Sequence, residues 1–98
     1  MNLKLYVLIR KDLSISQQAV QAGHAVAEFL LRSPGTSWKN GTLIYLGVRD
    51  QMHLKRWIYR LDHKNIKWIG FREPDIGNHL TAIAIEGNDR VFQKLELL

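Results

Sequence analysis

Residues 3–9, with the sequence LKLYVLI, limit the fold of this chain more than any other segment. They are mostly apolar and β-branched or aromatic, which predicts a strand buried on both faces. Helices must then cover the sheet on both sides, giving three layers. A chain of 98 residues has room for one such domain and no second core.

Two helices and three further strands are predicted after this first strand. The segment 14–17 (SISQ) matches a capping box, which predicts a helix to about Leu31, and residues 33–35 (SPG) end it. Asp50 is expected to cap a second helix. Its apolar residues fall at i, i+3, i+4 and i+7 in one stripe: Leu54, Trp57, Ile58 and Leu61. The remaining strands are predicted at 42–48, 66–71 and 80–86.

The predicted order of elements is β-α-β-α-β-β with a short C-terminal helix. Strand–helix–strand crossovers give parallel strands, whereas the last two strands should pair antiparallel. The expected fold class is therefore α/β: a single three-layer domain over residues 1–98, with a mixed four-stranded sheet flanked by helices. In the tail, Asp89 can cap a helix that docks through its apolar side chains: Val91, Phe92, Leu95 and Leu98.

The composition removes several classes of function. The chain has no cysteine, which excludes a disulfide framework, a thiolate nucleophile and Cys-ligated zinc or iron–sulfur sites. No two histidines have the helical spacing of a metal site with a carboxylate partner, and neither a Gly-rich phosphate loop nor a serine elbow is present. We expect no metal and no other cofactor. The apolar run near the N-terminus is too short for a signal peptide or a membrane span, so the expectation is a cytoplasmic protein without a membrane partner.

The positive charge is concentrated in one part of the chain. Seven of the fourteen Lys and Arg residues lie within 49–72, where only Asp50 and Asp62 oppose them, and the net charge of the whole chain is also +5. A surface of this kind attracts polyanions, nucleic acid above all. The alternative is a solvated helix face that only keeps the protein soluble. The candidate nucleic-acid contacts lie off the apolar stripe of the second helix: Lys55, Arg56, Arg60 and Lys64.

The first helix carries a line of polar residues. Gln17, Gln21, His24 and Glu28 fall at i, i+4, i+7 and i+11, and most residues between them are Ala or Gly. Small residues let a helix approach a sheet closely, so this line is expected to border a crevice. The helix starts just after the carboxyl end of the first strand, where open α/β sheets place their ligands. The alternative is an ordinary amphipathic surface helix.

The turn after the third strand, residues 72–75 (REPD), is the second candidate. It follows the carboxyl end of a strand expected to run parallel to the first. Its carboxylates, Glu73 and Asp75, could orient a water or a ribose hydroxyl, or transfer a proton. The alternative is a turn whose acids bind backbone amides.

Three of these segments together resemble the type 2 peptidyl-tRNA hydrolases. They are Arg10-x-Asp12-Leu13, Gln21-x-x-His24-Ala25 in an Ala-rich helix, and Arg72-Glu73 before a last strand containing Thr81. The resemblance spans about residues 3–86. It implies cleavage of the ester between a peptide and the ribose of tRNA, without metal or covalent intermediate. It also implies a mixed sheet flanked by helices. The implied partner is peptidyl-tRNA, and a homodimer is one candidate assembly because dimers are common in the family.

The resemblance also implies roles for individual residues. The catalytic candidates are Gln21, His24, Glu73 and Thr81, and the substrate-binding candidates are Arg10, Asp12, Gln17 and Asp75. The chain departs from the family at three positions, with Gln17 in place of Lys, Glu73 in place of Asp and Gly77 in place of Thr. Its loop before the first helix, at residues 14–16, is also shorter than in the family. The leading alternative is a binding module for tRNA or protein that keeps the fold without the chemistry. A weaker one is an adaptor that dimerises through its tail helix.

Overall fold

Four strands form the sheet on which the rest of the chain packs: β1 (Lys4–Arg10), β2 (Thr42–Val48), β3 (Ile69–Glu73) and β4 (His79–Gly87). The computed structural model describes residues 3–87 and 90–98. The strand order is β2-β1-β4-β3, with β1 parallel to β2 and antiparallel to β4, and with β4 antiparallel to β3. The predicted mixed four-stranded α/β sheet is confirmed. As expected, β3 runs parallel to β1, although β4 lies between them.

Helices α1 (Ile15–Arg32) and α2 (Gln51–His63) cover opposite faces of the sheet. Both have the predicted caps, since Ser14 accepts the N–H of Gln17 and Asp50 accepts that of His53. Alternate side chains of β1 point to opposite faces, so β1 serves two cores. The core under α1 includes Leu5, Val7, Ile9, Ala22, Ala25 and Phe29, and the core under α2 includes Tyr6, Leu8, Leu54, Trp57 and Leu61.

The third strand begins later than the sequence predicts, at Ile69 rather than at residue 66. The end of α2 explains the delay. Asn65 has a left-handed φ of 57°, and the N–H of Ile66 still donates to the carbonyl of Leu61. The chain is therefore leaving the helix at these residues and cannot yet join the sheet.

The C-terminal segment, residues 90–98, forms one 3₁₀ turn at Arg90–Phe92 where a short helix is predicted. Asp89 lies outside the described residues. Phe92 is buried, with its ring centroid 4.9 Å from that of Tyr6 and 5.5 Å from that of Trp57. The helix does not continue: after a turn at residues 93–95, residues 96–98 pair with β2, through a bridge between Leu97 and Leu46. Leu98, predicted to dock, remains 43% exposed.

No helix within residues 3–87 and 90–98 combines the length and the apolar character that crossing a membrane requires.

Candidate active site

The candidate site is built around Gln21, a polar side chain of α1 that is completely buried. Its Nε2 donates to Oε2 of Glu73 at 3.0 Å and to Oε1 of Gln17 at 3.1 Å, and its Oε1 accepts the hydroxyl of Thr81 at 2.7 Å. Both N–H donors of the amide are therefore used. The reverse orientation would set the amide oxygen against the carboxylate of Glu73, so the network fixes the amide in one orientation.

Thr81 reaches this amide because β4 contains a bulge. The register of β3 against β4 shifts by one residue after Phe71, which leaves Thr81 as the extra residue of β4. Ile83 and Ile85 lie in the core under α2, and simple alternation would direct Thr81 there as well. The bulge turns Thr81 to the α1 side, where its hydroxyl meets Gln21.

Glu73, the last residue of β3, presents a half-buried carboxylate at the sheet edge. One carboxylate oxygen accepts from Gln21, and the other accepts from the backbone N–H of Asp75 at 3.4 Å. The donation by Gln21 is the main cause that lowers the pKa of Glu73, and the N–H of Asp75 and the charge of His24 act in the same direction. Glu73 is thus an oriented carboxylate that is ionised near neutral pH and able to accept a proton.

Gln17 and His24 lie one turn before and one turn after Gln21, and both are exposed. Gln17 uses its amide oxygen to accept from Gln21, which leaves its NH₂ group directed outward as a donor. The imidazole of His24 stacks on Phe71 with centroids 4.3 Å apart and an interplanar angle of 7°. Three residues of the predicted polar line, Gln17, Gln21 and His24, therefore border the site, with only Gln21 buried in it. The fourth, Glu28, pairs with Arg32 further along α1.

Arg10 and Asp12 bind each other at the end of β1. Nε and Nη2 of Arg10 donate to the two carboxylate oxygens of Asp12 at 3.0 and 2.7 Å, and Nη1 donates to the carbonyl of Leu80 at 3.2 Å. The hydrogen bonds from Arg10 lower the pKa of Asp12, and the same bonds raise that of Arg10. Because Leu80 precedes Thr81, this pair fixes the backbone next to the site. Asp75 is exposed in the 3₁₀ turn Pro74–Ile76.

The predicted nucleic-acid contacts lie on α2 and at its C-cap, on the other face of the sheet from the Gln21 cluster. All of them are exposed: Lys55, Arg56, Arg60 and Lys64. Two cations outside the predicted set, Arg90 and Lys94, lie beside α2 in the C-terminal segment. The sequence offered a signal for them, because their neighbours Val91 and Leu95 were expected to dock on the core. Among the described residues, no group of three His, Asp or Glu side chains is placed to hold a metal ion.

The comparisons with known proteins place the fold alone. No family model matches the chain, and no curated protein matches it. A solved structure of a protein of unknown function from Agrobacterium tumefaciens strain C58, Atu0240, is similar, with a TM-score of 0.72 and 14% identity over 100% of this chain and 98% of that one. At this identity the similarity extends to the architecture and not to the chemistry.

Proposed function

We propose that this protein is a cytoplasmic peptidyl-tRNA hydrolase of the type 2 kind, which cleaves the ester joining a peptide or an N-blocked amino acid to tRNA. One observation carries the proposal. Gln21, Glu73 and Thr81, which the resemblance selects as catalytic, lie up to 60 residues apart in sequence and meet around a single buried amide. Such an arrangement holds a carboxylate where a reaction needs one.

In the proposed reaction Glu73 accepts a proton from a water molecule that attacks the ester carbonyl carbon. The bond between that carbon and the ribose oxygen breaks, and the ribose oxygen takes up a proton, with His24 assisting the transfer. Gln21 acts through Glu73, because both of its N–H groups are already donated. The outward NH₂ of Gln17 is the donor offered to the substrate carbonyl oxygen, where the family has a lysine.

A second candidate is a tRNA-binding module without turnover. It is favoured because both N–H groups of Gln21 already donate to other side chains of the protein. A neutral amide at position 17 also stabilises a developing oxyanion less than an ammonium group would. The two candidates differ in a single measurable quantity, the rate of ester cleavage above the spontaneous rate.

The test is timed deacylation of an N-blocked aminoacyl-tRNA, with spontaneous hydrolysis subtracted. Glu73→Gln should lower the rate by about 10²–10⁴-fold, since it removes the proton acceptor. The matched control is Glu28→Gln, the same chemical change on α1 at a residue paired with Arg32, which should keep the wild-type rate. Equal rates for the two variants would contradict the assigned role of Glu73.

Gln17→Lys separates the two candidates. The ammonium group would lie one turn before Gln21, at the mouth of the site, and should raise the rate by up to about 10²-fold. If wild type and Gln17→Lys both stay at the spontaneous rate while tRNA binds, the protein is a binding module. If Gln17→Lys slows a fast wild type, Gln17 belongs to a differently built site.

A further inference from the structure

A cleft between α2 and the C-terminal segment, here called the basic cleft, is lined by cations from both. One depression in this cleft has a volume of about 340 Å³ and is lined by Arg49, Arg56, Arg60 and Lys94. A second depression of about 530 Å³ shares Arg60 and Lys94 with it, so the two lie side by side. Within the described part of the chain, no Asp or Glu lines either depression.

None of these cations forms an ion pair with a described Asp or Glu residue. Arg56 and Arg60 on α2 and Lys64 at its C-cap stand at i, i+4 and i+8, where like charges repel one another. The acids nearby are engaged elsewhere, since Asp50 caps α2 and Asp62 accepts the indole N–H of Trp68 at 2.9 Å. Across residues 3–87 and 90–98, ion pairs join only Arg10 to Asp12 and Arg32 to Glu28. Ion pairing within the described residues therefore does not explain this row of charges.

The floor of the cleft holds one of its cations in place. The guanidinium carbon of Arg60 lies 5.0 Å from the ring centroid of Trp57, a side chain that is only 4% exposed. Stacking on a fixed ring restricts Arg60 and leaves the N–H groups at its edge free to donate. An arginine prepared in this way suits the oxygens of a phosphate group.

His53 also lines the cleft, and its Nδ1 accepts the backbone N–H of Arg49 at 3.0 Å. Burial is the first cause that lowers the pKa of His53, and repulsion from Arg49, Arg56 and Arg60 lowers it further against the opposing effect of Asp50. A bound anion would offset that repulsion. The pKa of His53 can therefore be used to detect an anion bound in the cleft.

We infer that the basic cleft binds the phosphodiester backbone of a folded RNA, at a distance from the acylated end. Cations one helical turn apart, about 6 Å along α2, match a row of phosphates rather than a single one. The choice of RNA over other polyanions rests on the proposed function, whereas the cleft rests on its own charges. Because α2 and the Gln21 cluster lie on opposite faces of the sheet, the cleft holds the body of the RNA while the ester reaches α1.

The experiment measures binding of deacylated tRNA as a function of salt. The double variant Arg56→Glu with Lys94→Glu should raise the Kd by about 10–100-fold and lower the slope of log K against log salt by about 2. The control double variant, Lys11→Glu with Lys39→Glu, has the same change in net charge at exposed sites that do not line the cleft. It should raise the Kd by less than about threefold. A circular dichroism spectrum shows that both variants fold.

Two further arms locate the site and identify the ligand. Saturating tRNA should raise the pKa of His53, followed by NMR, and removing the 3′ end of the tRNA should leave the Kd unchanged. Equal weakening by the two double variants would reduce the binding to net charge and overturn the inference. Binding to phosphatidylserine vesicles without binding to tRNA, tighter binding to duplex DNA than to tRNA, or an unmoved His53 would also overturn it. Because this tRNA carries no ester, a failure of deacylation would overturn the proposed function alone.

Discussion

The two faces of the sheet differ in whether their polar side chains have partners within the protein. Under α1, Gln21 bonds to both Glu73 and Thr81, and no described buried side-chain nitrogen or oxygen lacks a hydrogen-bond partner. On α2, Arg56 and Arg60 stand in solvent beside charges of their own sign. A cluster of hydrogen-bonded side chains contributes to the fold and positions its own members. A row of cations without ion-pair partners acquires a function only when an anion binds. Substitutions should therefore cost stability on the α1 face and binding on the α2 face.

The largest expected effect concerns the one part of the basic cleft that is structural, its floor. Trp57→Ala should lower the free energy of unfolding by about 3–5 kcal/mol, because the indole fills the core between α2, Tyr6 and Phe92. Chemical denaturation gives the value. The control is Tyr59→Ala on the same helix, where the ring is 65% exposed and the loss should stay below about 1 kcal/mol. Equal losses would mean that the register of α2 is wrong.

Periodicity predicted the parts of the molecule that depend on which face a residue occupies. The spacing of Leu54, Trp57 and Leu61 gave the buried stripe of α2, and the apolar run of β1 gave a strand with a core on each side. The polar line of α1 was predicted to border a crevice. Periodicity could not show that Gln21 is buried while Gln17 is exposed, because that depends on how far β3 extends over α1.

Other features depend on contacts between distant segments, which a local pattern does not contain. Alternation along β4 would place Thr81 on the wrong face, since a bulge leaves no mark in a period of two. Arg10 is a similar case: it was expected to contact substrate, and its bonds to Asp12 and to the carbonyl of Leu80 appear only in the folded chain. The position of Lys94 in the basic cleft also depends on a contact between distant segments, the docking of the C-terminal segment beside α2.

The second prediction tests whether the α1 cluster contributes to stability. Gln21→Leu should lower the free energy of unfolding by about 1–3 kcal/mol, because it leaves the buried hydroxyl of Thr81 and the carboxylate of Glu73 without their shared partner. A double-mutant cycle with Thr81→Val should show coupling of at least about 0.5 kcal/mol. The control, Gln17→Ala, removes an acceptor that water can replace at an exposed site, and should cost less than Gln21→Leu.

The same variant has a consequence for pH dependence. Donation from Gln21 stabilises the ionised form of Glu73 and lowers its pKa, so its removal should raise that pKa toward the ordinary value. In an active enzyme the acid limb of kcat/KM should then move to higher pH in Gln21→Leu and stay in place in Gln17→Ala. An acid limb that does not move would show that Glu73 is not the group titrating in the reaction.

The smallest expected effect has the opposite sign and separates two neighbouring arginines. Arg56→Gln should raise the free energy of unfolding by about 0.2–0.5 kcal/mol at low salt, because it relieves repulsion from Arg60 at i+4 while helix propensity hardly changes. Arg60→Gln relieves two such repulsions, with Arg56 and Lys64, but loses the contact with the ring of Trp57, which contributes about 0.5–1 kcal/mol. The two terms should nearly cancel, so Arg60→Gln should leave stability close to that of the wild type.

Thermal unfolding can resolve this pair, since 0.2–0.5 kcal/mol corresponds to a rise in Tm of about 1–4 °C for a domain of this size. The gain of Arg56→Gln should disappear in about 1 M salt, where charges on the surface are screened within a few ångströms. The pKa of His53 should rise in the same variant, because one of the repelling cations is gone, although burial keeps the pKa of His53 below its ordinary value. A variant that is more stable and yet binds RNA less tightly would show that α2 keeps Arg56 for a partner and at the expense of its own stability. If Arg56→Gln instead destabilises the fold, Arg56 has an internal partner in solution, and the contrast between the two faces fails at that residue.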